Sequence, residues 1–100
     1  MSGADERLQT LHPEPEKSGP RIERWKYDAV RKAILQALPR KGDGLAFKEL
    51  PVRVKELLPA RDLARLGSVT WYTVTVKLDL EARGEVVRVA GARPQRLLRV

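Results

Sequence analysis

Apolar residues recur at helical spacing between Arg21 and Leu38. Tyr27, Val30, Ile34 and Leu38 fall at i, i+3, i+7 and i+11, with Trp25, Ala29 and Ala33 on an adjoining stripe. This predicts a first helix. Pro39 and the turn Gly42-Asp43-Gly44 end it, and the short apolar run Leu45-Ala46-Phe47 predicts the first strand of a small sheet. A second helix is expected from near Lys48, with Phe47, Leu50, Val54, Leu57 and Leu58 on one face. Pro51 is tolerated there, because a first-turn N–H has no intrahelical partner to lose. Pro59 to Leu66 predicts one short extra turn of helix, with Leu63 and Leu66 inward and Gly67 closing it.

The stretch Ser68 to Gly84 has two competing patterns. Val74, Val76, Leu78 and Leu80 alternate with Thr75, Lys77 and Asp79, which taken locally describes a strand rich in β-branched residues. Two features favour a helix. A strand of that length would far exceed the usual five or six residues. Ser68 also stands where an N-cap belongs and Gly84 where a left-handed C-terminal glycine belongs. On this third helix Val69, Tyr72, Val76, Leu80 and Arg83 face the core, and Trp71, Val74, Leu78 and Ala82 face away.

Glu85 to Ala90 and Gln95 to Val100 predict two strands around the turn Gly91-Ala92-Arg93-Pro94. The hairpin carries Arg88, Arg93, Arg96 and Arg99 against Glu85 alone. Two roles compete for these arginines: phosphate contacts from a projecting wing, or solvated charges that blunt a sheet edge. The expected fold is α+β, a winged helix-turn-helix with three main helices and a C-terminal hairpin wing over residues 21–100. Its expected core is Tyr27, Val30, Ile34, Leu50, Val54, Leu57, Tyr72, Val76, Leu80, Val87 and Leu98. Residues 1–20, with three prolines, two glycines and no sustained periodicity, are expected to form a disordered or extended arm.

One domain is expected of 100 residues. The net charge of +7 changes the picture more than the size does. The first 20 residues set Arg7 and Lys17 against Asp5, Glu6, Glu14 and Glu16, a net of −2, so the remaining 80 carry +9. A basic domain favours a polyanionic partner, since each phosphate contact releases condensed counterions. An acidic arm is unsuited to the minor groove. The absence of cysteine excludes disulfides and thiolate metal sites, and no apolar run reaches membrane-spanning length, so a soluble cytoplasmic protein is expected. His12 is the only histidine and lies in the arm; no histidine relay or histidine metal site can be assembled. Lys41-Gly42-Asp43-Gly44 lacks the spacing of a phosphate-binding loop. Asp79, Glu81 and Glu85 have basic neighbours and read as salt-bridge partners. No enzyme activity, cofactor or metal is expected.

The run Gly67-Ser68-Val69-Thr70-Trp71-Tyr72, continued by Val76-Lys77-Leu78-Asp79-Leu80-Glu81-Ala82-Arg83-Gly84-Glu85, resembles the signature of a small bacterial family of uncharacterised winged-helix proteins. Lys26-Tyr27-Asp28-Ala29-Val30-Arg31 and Pro94-Gln95-Arg96 extend the likeness. The resemblance implies the fold and, for a family without an assigned activity, nothing more. Duplex DNA is the partner the winged-helix fold suggests. Phosphate contacts then belong to Arg93, Arg96 and Lys77, and base or backbone contacts to Thr70 and Thr75 at the margins of the third helix. The outward face at Trp71, Val74, Leu78 and Ala82 carries no Arg, Asn or Gln for base edges. A second reading makes Trp71, Val74 and Leu78 a protein interface, as a homodimer seam or a docking site. In a third, the arm or the Leu63–Leu66 segment folds over that stripe and buries it.

Overall fold

The computed structural model describes residues 6–100 of the chain. Among them the fold is mixed α+β, with four α-helices and two small antiparallel sheets. In chain order the elements are β1 (Arg7–Leu11), β2 (Ser18–Glu23), α1 (Arg24–Ala37), β3 (Leu45–Ala46), α2 (Leu50–Leu57), α3 (Ala60–Leu66), α4 (Val69–Ala82), β4 (Val86–Arg88) and β5 (Arg96–Arg99).

The stretch expected as a disordered or extended arm is, from Arg7 on, a hairpin. β1 pairs antiparallel with β2, Arg7 opposite Glu23 and Leu8 opposite Ile22, which puts Ile22 into the core. Buried Thr10 donates its hydroxyl to the Pro20 carbonyl at 2.6 Å. The prolines that suggested disorder do not prevent the pairing: Pro13 and Pro15 lie between the strands, and Pro20 lies in β2 where the register shifts between Gln9 and Leu11. α1 consequently starts at Arg24, not Arg21. Residues 1–5 of the expected arm lie outside the described residues.

A single 3-10 turn, Phe47–Glu49, leads into α2, with Pro51 in the first turn where its missing N–H does no harm. The extra helix before Gly67 is α3. The third predicted helix is α4, and its ends follow the expected chemistry: Ser68 Oγ accepts from the Trp71 N–H at 3.0 Å, and Gly84 has φ 79°. β5 is central in the second sheet, between β3 and β4. Gly44 at φ 77° is required by close approach as well, since a Cβ there would meet the Leu97 carbonyl oxygen at 2.5 Å.

Val30 and Ile34 of α1, Leu50 and Val54 of α2, Leu66 of α3, Val76 and Leu80 of α4, and Val86 and Leu97 of the sheet make one buried cluster. Each such side chain contributes roughly 1.5–3 kcal/mol on leaving water. Four expected core positions differ. Leu57 and Val87 are each 42% exposed while their neighbours Leu58 and Val86 are buried, and Leu98 is half-buried beside fully buried Leu97. In both strands the inward set is displaced by one residue, which in a pleated strand exchanges the two faces. Tyr72 is half-buried.

Besides Ile22 in the core, a carboxylate of α4 ties the N-terminal hairpin to the helices. Asp79, 0% exposed, accepts from the Leu11 N–H of β1 at 2.8 Å, from the Tyr27 hydroxyl of α1, and from Arg83 Nε at 2.8 Å. Burial first, and the bond to Asp79 second, raise the Tyr27 phenol above its ordinary value; the same carboxylate raises Arg83.

Removing the carboxylate in Asp79→Ala strands a buried hydroxyl and a backbone donor. The expected cost is about 3–5 kcal/mol, with the Leu11 amide exchanging before those of α1 in hydrogen-exchange measurements. For Tyr27 the folded state holds the proton more tightly than the unfolded chain. Its contribution is therefore complete below about pH 10 and declines as pH rises above that value. Tyr27→Phe should flatten this alkaline loss in unfolding experiments run across pH.

Candidate functional site

α4 is surrounded on three sides. α1 and α2 cover the face bearing Thr73, Val76 and Leu80, the N-terminal hairpin reaches the flank bearing Asp79, and the C-terminal hairpin reaches the flank bearing Lys77. What remains outward is a stripe of Thr70, Trp71, Val74, Leu78 and Ala82. Trp71 is 47% exposed and Val74 and Leu78 are half-buried, so neither the N-terminal hairpin nor the Leu63–Leu66 segment covers Trp71.

The cations expected to meet phosphates divide sharply. Lys77 is 3% exposed; its Nζ lies 2.7 Å from Glu81, 3.3 Å from Gln95 Oε1 and 4.7 Å from the centroid of Phe47. Glu81 also pairs with Arg88 at 2.6 Å. A long apolar stem on a helix flank is readily buried if its ammonium finds a carboxylate, and Glu81, four residues on, supplies it. Lys77 is thus a structural cation and not a free phosphate ligand. Arg96 is engaged too, donating to the backbone carbonyls of Asp43 at 2.8 Å and Gly44 at 2.9 Å. Arg93, in the turn at the tip of the C-terminal hairpin, is exposed and has no ion-pair partner among the described residues. Thr75 is almost wholly buried, while Thr70 is exposed.

Thr70 opens onto a cleft of about 270 Å³ between α2 and the start of α4, lined also by Pro51, Val52, Lys55, Ser68 and Val69. Lys55 is an exposed cation that sequence reasoning did not single out, because a lysine on an amphipathic helix carries no signal of which cleft it borders. A row of rings and cations continues from Trp71. Its ring stands edge-on to Tyr72, centroids 4.8 Å apart at 80°. Lys26 Nζ lies 5.0 Å over Tyr72 and 5.7 Å from Trp25, and the Arg65 guanidinium lies 5.2 Å over Trp25. The Trp25 indole donates to Glu23 at 3.1 Å, which holds that carboxyl below the usual carboxylate range.

The reading of the carboxylates as ion-pair partners agrees with the geometry: Asp79 pairs with Arg83, Glu81 with Lys77 and Arg88, and Glu85 with Arg31. Among the described residues no three His, Cys, Asp or Glu side chains are grouped to hold a metal, and no helix is long and apolar enough to cross a membrane.

Lys77 and Arg93 should separate in stability measurements. Lys77→Ala leaves Glu81 buried beside one remaining partner and is expected to cost about 3 kcal/mol or more. Arg93→Ala is expected to stay within about 0.5 kcal/mol of the parent in denaturant unfolding.

Comparison with curated proteins gave no match, and comparison with solved structures gave none. Residues 7–97 match a family described as "Family of unknown function (DUF6958)", a span that starts at the first residue of β1, takes in the N-terminal hairpin and ends within β5. The chain belongs to that family.

Proposed function

We propose that this protein is a non-enzymatic winged helix-turn-helix that binds duplex DNA, acting as a small transcription-related or architectural factor. The observation that carries the reading is the order of elements after β2. Helix α1, strand β3, helices α2 to α4 and hairpin β4–β5, with the sheet ordered β3–β5–β4, is the layout in which one helix is presented beside a hairpin wing. The net charge of +7 supports a polyanionic ligand. In this reading α4 is the presented helix, Arg93 at the wing tip meets phosphates, and Lys55 and Thr70 meet the backbone from the cleft between α2 and α4.

Few groups on the outward face of α4 are suited to reading base edges. Affinity is therefore expected to depend on phosphates and to vary little with sequence. A second reading is favoured by the exposure of Trp71, at 47%, beside Val74 and Leu78: a seam between two copies of the chain or a docking surface for another protein.

Binding to a set of unrelated duplexes across a salt series tests the primary reading. Arg93→Ala should weaken all of them alike and reduce the slope of log affinity against log salt by about 1. An unchanged slope removes Arg93 from the interface, and no binding to any duplex at low salt rejects the function.

A further inference from the structure

The outward stripe of α4 is poor in hydrogen-bonding groups and carries one exposed ring, Trp71. Thr70 supplies its only free hydroxyl, and Glu81 at its edge is held by Lys77 and Arg88. Base pairs in the major groove are distinguished by donors and acceptors, so this face is ill matched to paired bases. A flat aromatic surface is matched to the face of an unpaired one.

Trp71 is well placed for that role. Its backbone N–H is held by the Ser68 cap, and its indole packs nearly perpendicular to Tyr72, whose hydroxyl accepts from Lys26 Nζ at 3.4 Å. Lys26 is itself anchored to the Leu66 carbonyl at 3.1 Å. A ring supported in this way loses little rotamer freedom when a ligand stacks on it. Two exposed cations belong to the same region: Lys55 borders the cleft that Thr70, next to Trp71 in the chain, also lines, and Arg65 stacks on Trp25. Aromatic rings between cations are how single-stranded nucleic acid is held without sequence preference.

We infer that Trp71 is a stacking platform for an unpaired nucleobase, so that the protein prefers DNA carrying unpaired bases to a fully paired duplex. This rests on the DNA-binding reading above. Charge distinguishes the ligand from a second copy of the chain. A two-fold seam centred on Trp71 brings the Lys55 and Arg65 of each copy toward those of the other, whereas a nucleic-acid strand neutralises them.

The test measures anisotropy of labelled blunt duplex and of the same duplex with a tail of about eight unpaired nucleotides, within the usual single-strand site size. Wild type, Trp71→Ala and Trp71→Phe are compared, with sedimentation to give the oligomeric state. Wild type should bind the tailed DNA about 5- to 100-fold more tightly than the blunt one, with quenching of indole emission. Trp71→Ala should abolish the preference, bringing the affinity for tailed DNA to that for the blunt duplex, and Trp71→Phe should retain part of it. If Trp71→Ala does not fold, the partial preference of Trp71→Phe and the quenching carry the test. Equal affinities for the two DNAs in wild type, or a preference that survives loss of the ring, overturn the platform and leave duplex binding standing. Binding to tailed DNA alone supports the platform and rejects the duplex reading. Binding to neither rejects both, and a dimer dissolved by Trp71→Ala without any tail preference assigns the ring to a protein seam.

Discussion

The arrangement of α4 depends on the buried carboxylate of Asp79. A fully desolvated charge is tolerated only when its lone pairs are occupied. Here they are occupied from three elements: the Leu11 N–H of β1, the Tyr27 hydroxyl of α1 and Arg83 one turn further along α4. The N-terminal hairpin therefore cannot leave without exposing or orphaning that charge. Its presence covers one flank of α4.

The opposite flank is held by a second ionic group of inverse sign. Lys77 is buried among Glu81, Gln95 and the Phe47 ring, and Glu81 goes on to Arg88 in β4. This connects α4 to the second sheet and leaves one narrow stripe of the helix in solvent. It also separates total charge from available charge. Arg88, Arg96 and Lys77 all add to the basic excess, yet each is engaged within the chain, whereas Arg93 is an exposed cation of the C-terminal hairpin with no ion pair among the described residues. Arg88 and Leu97 are paired residues on the inward side of the sheet, so an arginine in a strand is as readily a strut to a neighbouring carboxylate as a ligand for phosphate. Reading function from the count of arginines in the hairpin overstates what the hairpin can offer a polyanion.

Much of the architecture was legible from local chemistry. The capping serine and terminal glycine of α4 outweighed its β-branched alternation, and the prolines and glycines marked the ends of α1, α2 and α3. The inward face of α1 followed from helical periodicity, through Tyr27, Val30 and Ile34, but that of α4 only in part: Val76 and Leu80 are buried, Val69 and Tyr72 are half-buried, Arg83 is exposed, and the polar Thr73, Thr75, Lys77 and Asp79 are buried with them. Strands were less legible. In Val86-Val87 and Leu97-Leu98 adjacent apolar residues leave the pleat ambiguous, and only pairing with the neighbouring strand chooses which one points inward. The N-terminal hairpin was illegible for a related reason: β1 and β2 are short and mostly polar, Pro20 lies in β2 and Pro13 and Pro15 in the connection, and the pair is held by its own pairing, by Ile22 in the core and by Asp79, 68 residues after Leu11.

What the sequence by itself determined was local: where helices begin and end, which of their faces are apolar, and that the chain holds one histidine and no cysteine. These follow from backbone capping, side-chain spacing and composition, all of which act over a few residues. The tertiary structure decided which charges are buried and which are free, because an ion pair depends on partners brought together across the fold. The same long-range packing turned residues 7–23 into a hairpin, buried Lys77 and Asp79 on opposite flanks of α4, and left Trp71 in solvent between them.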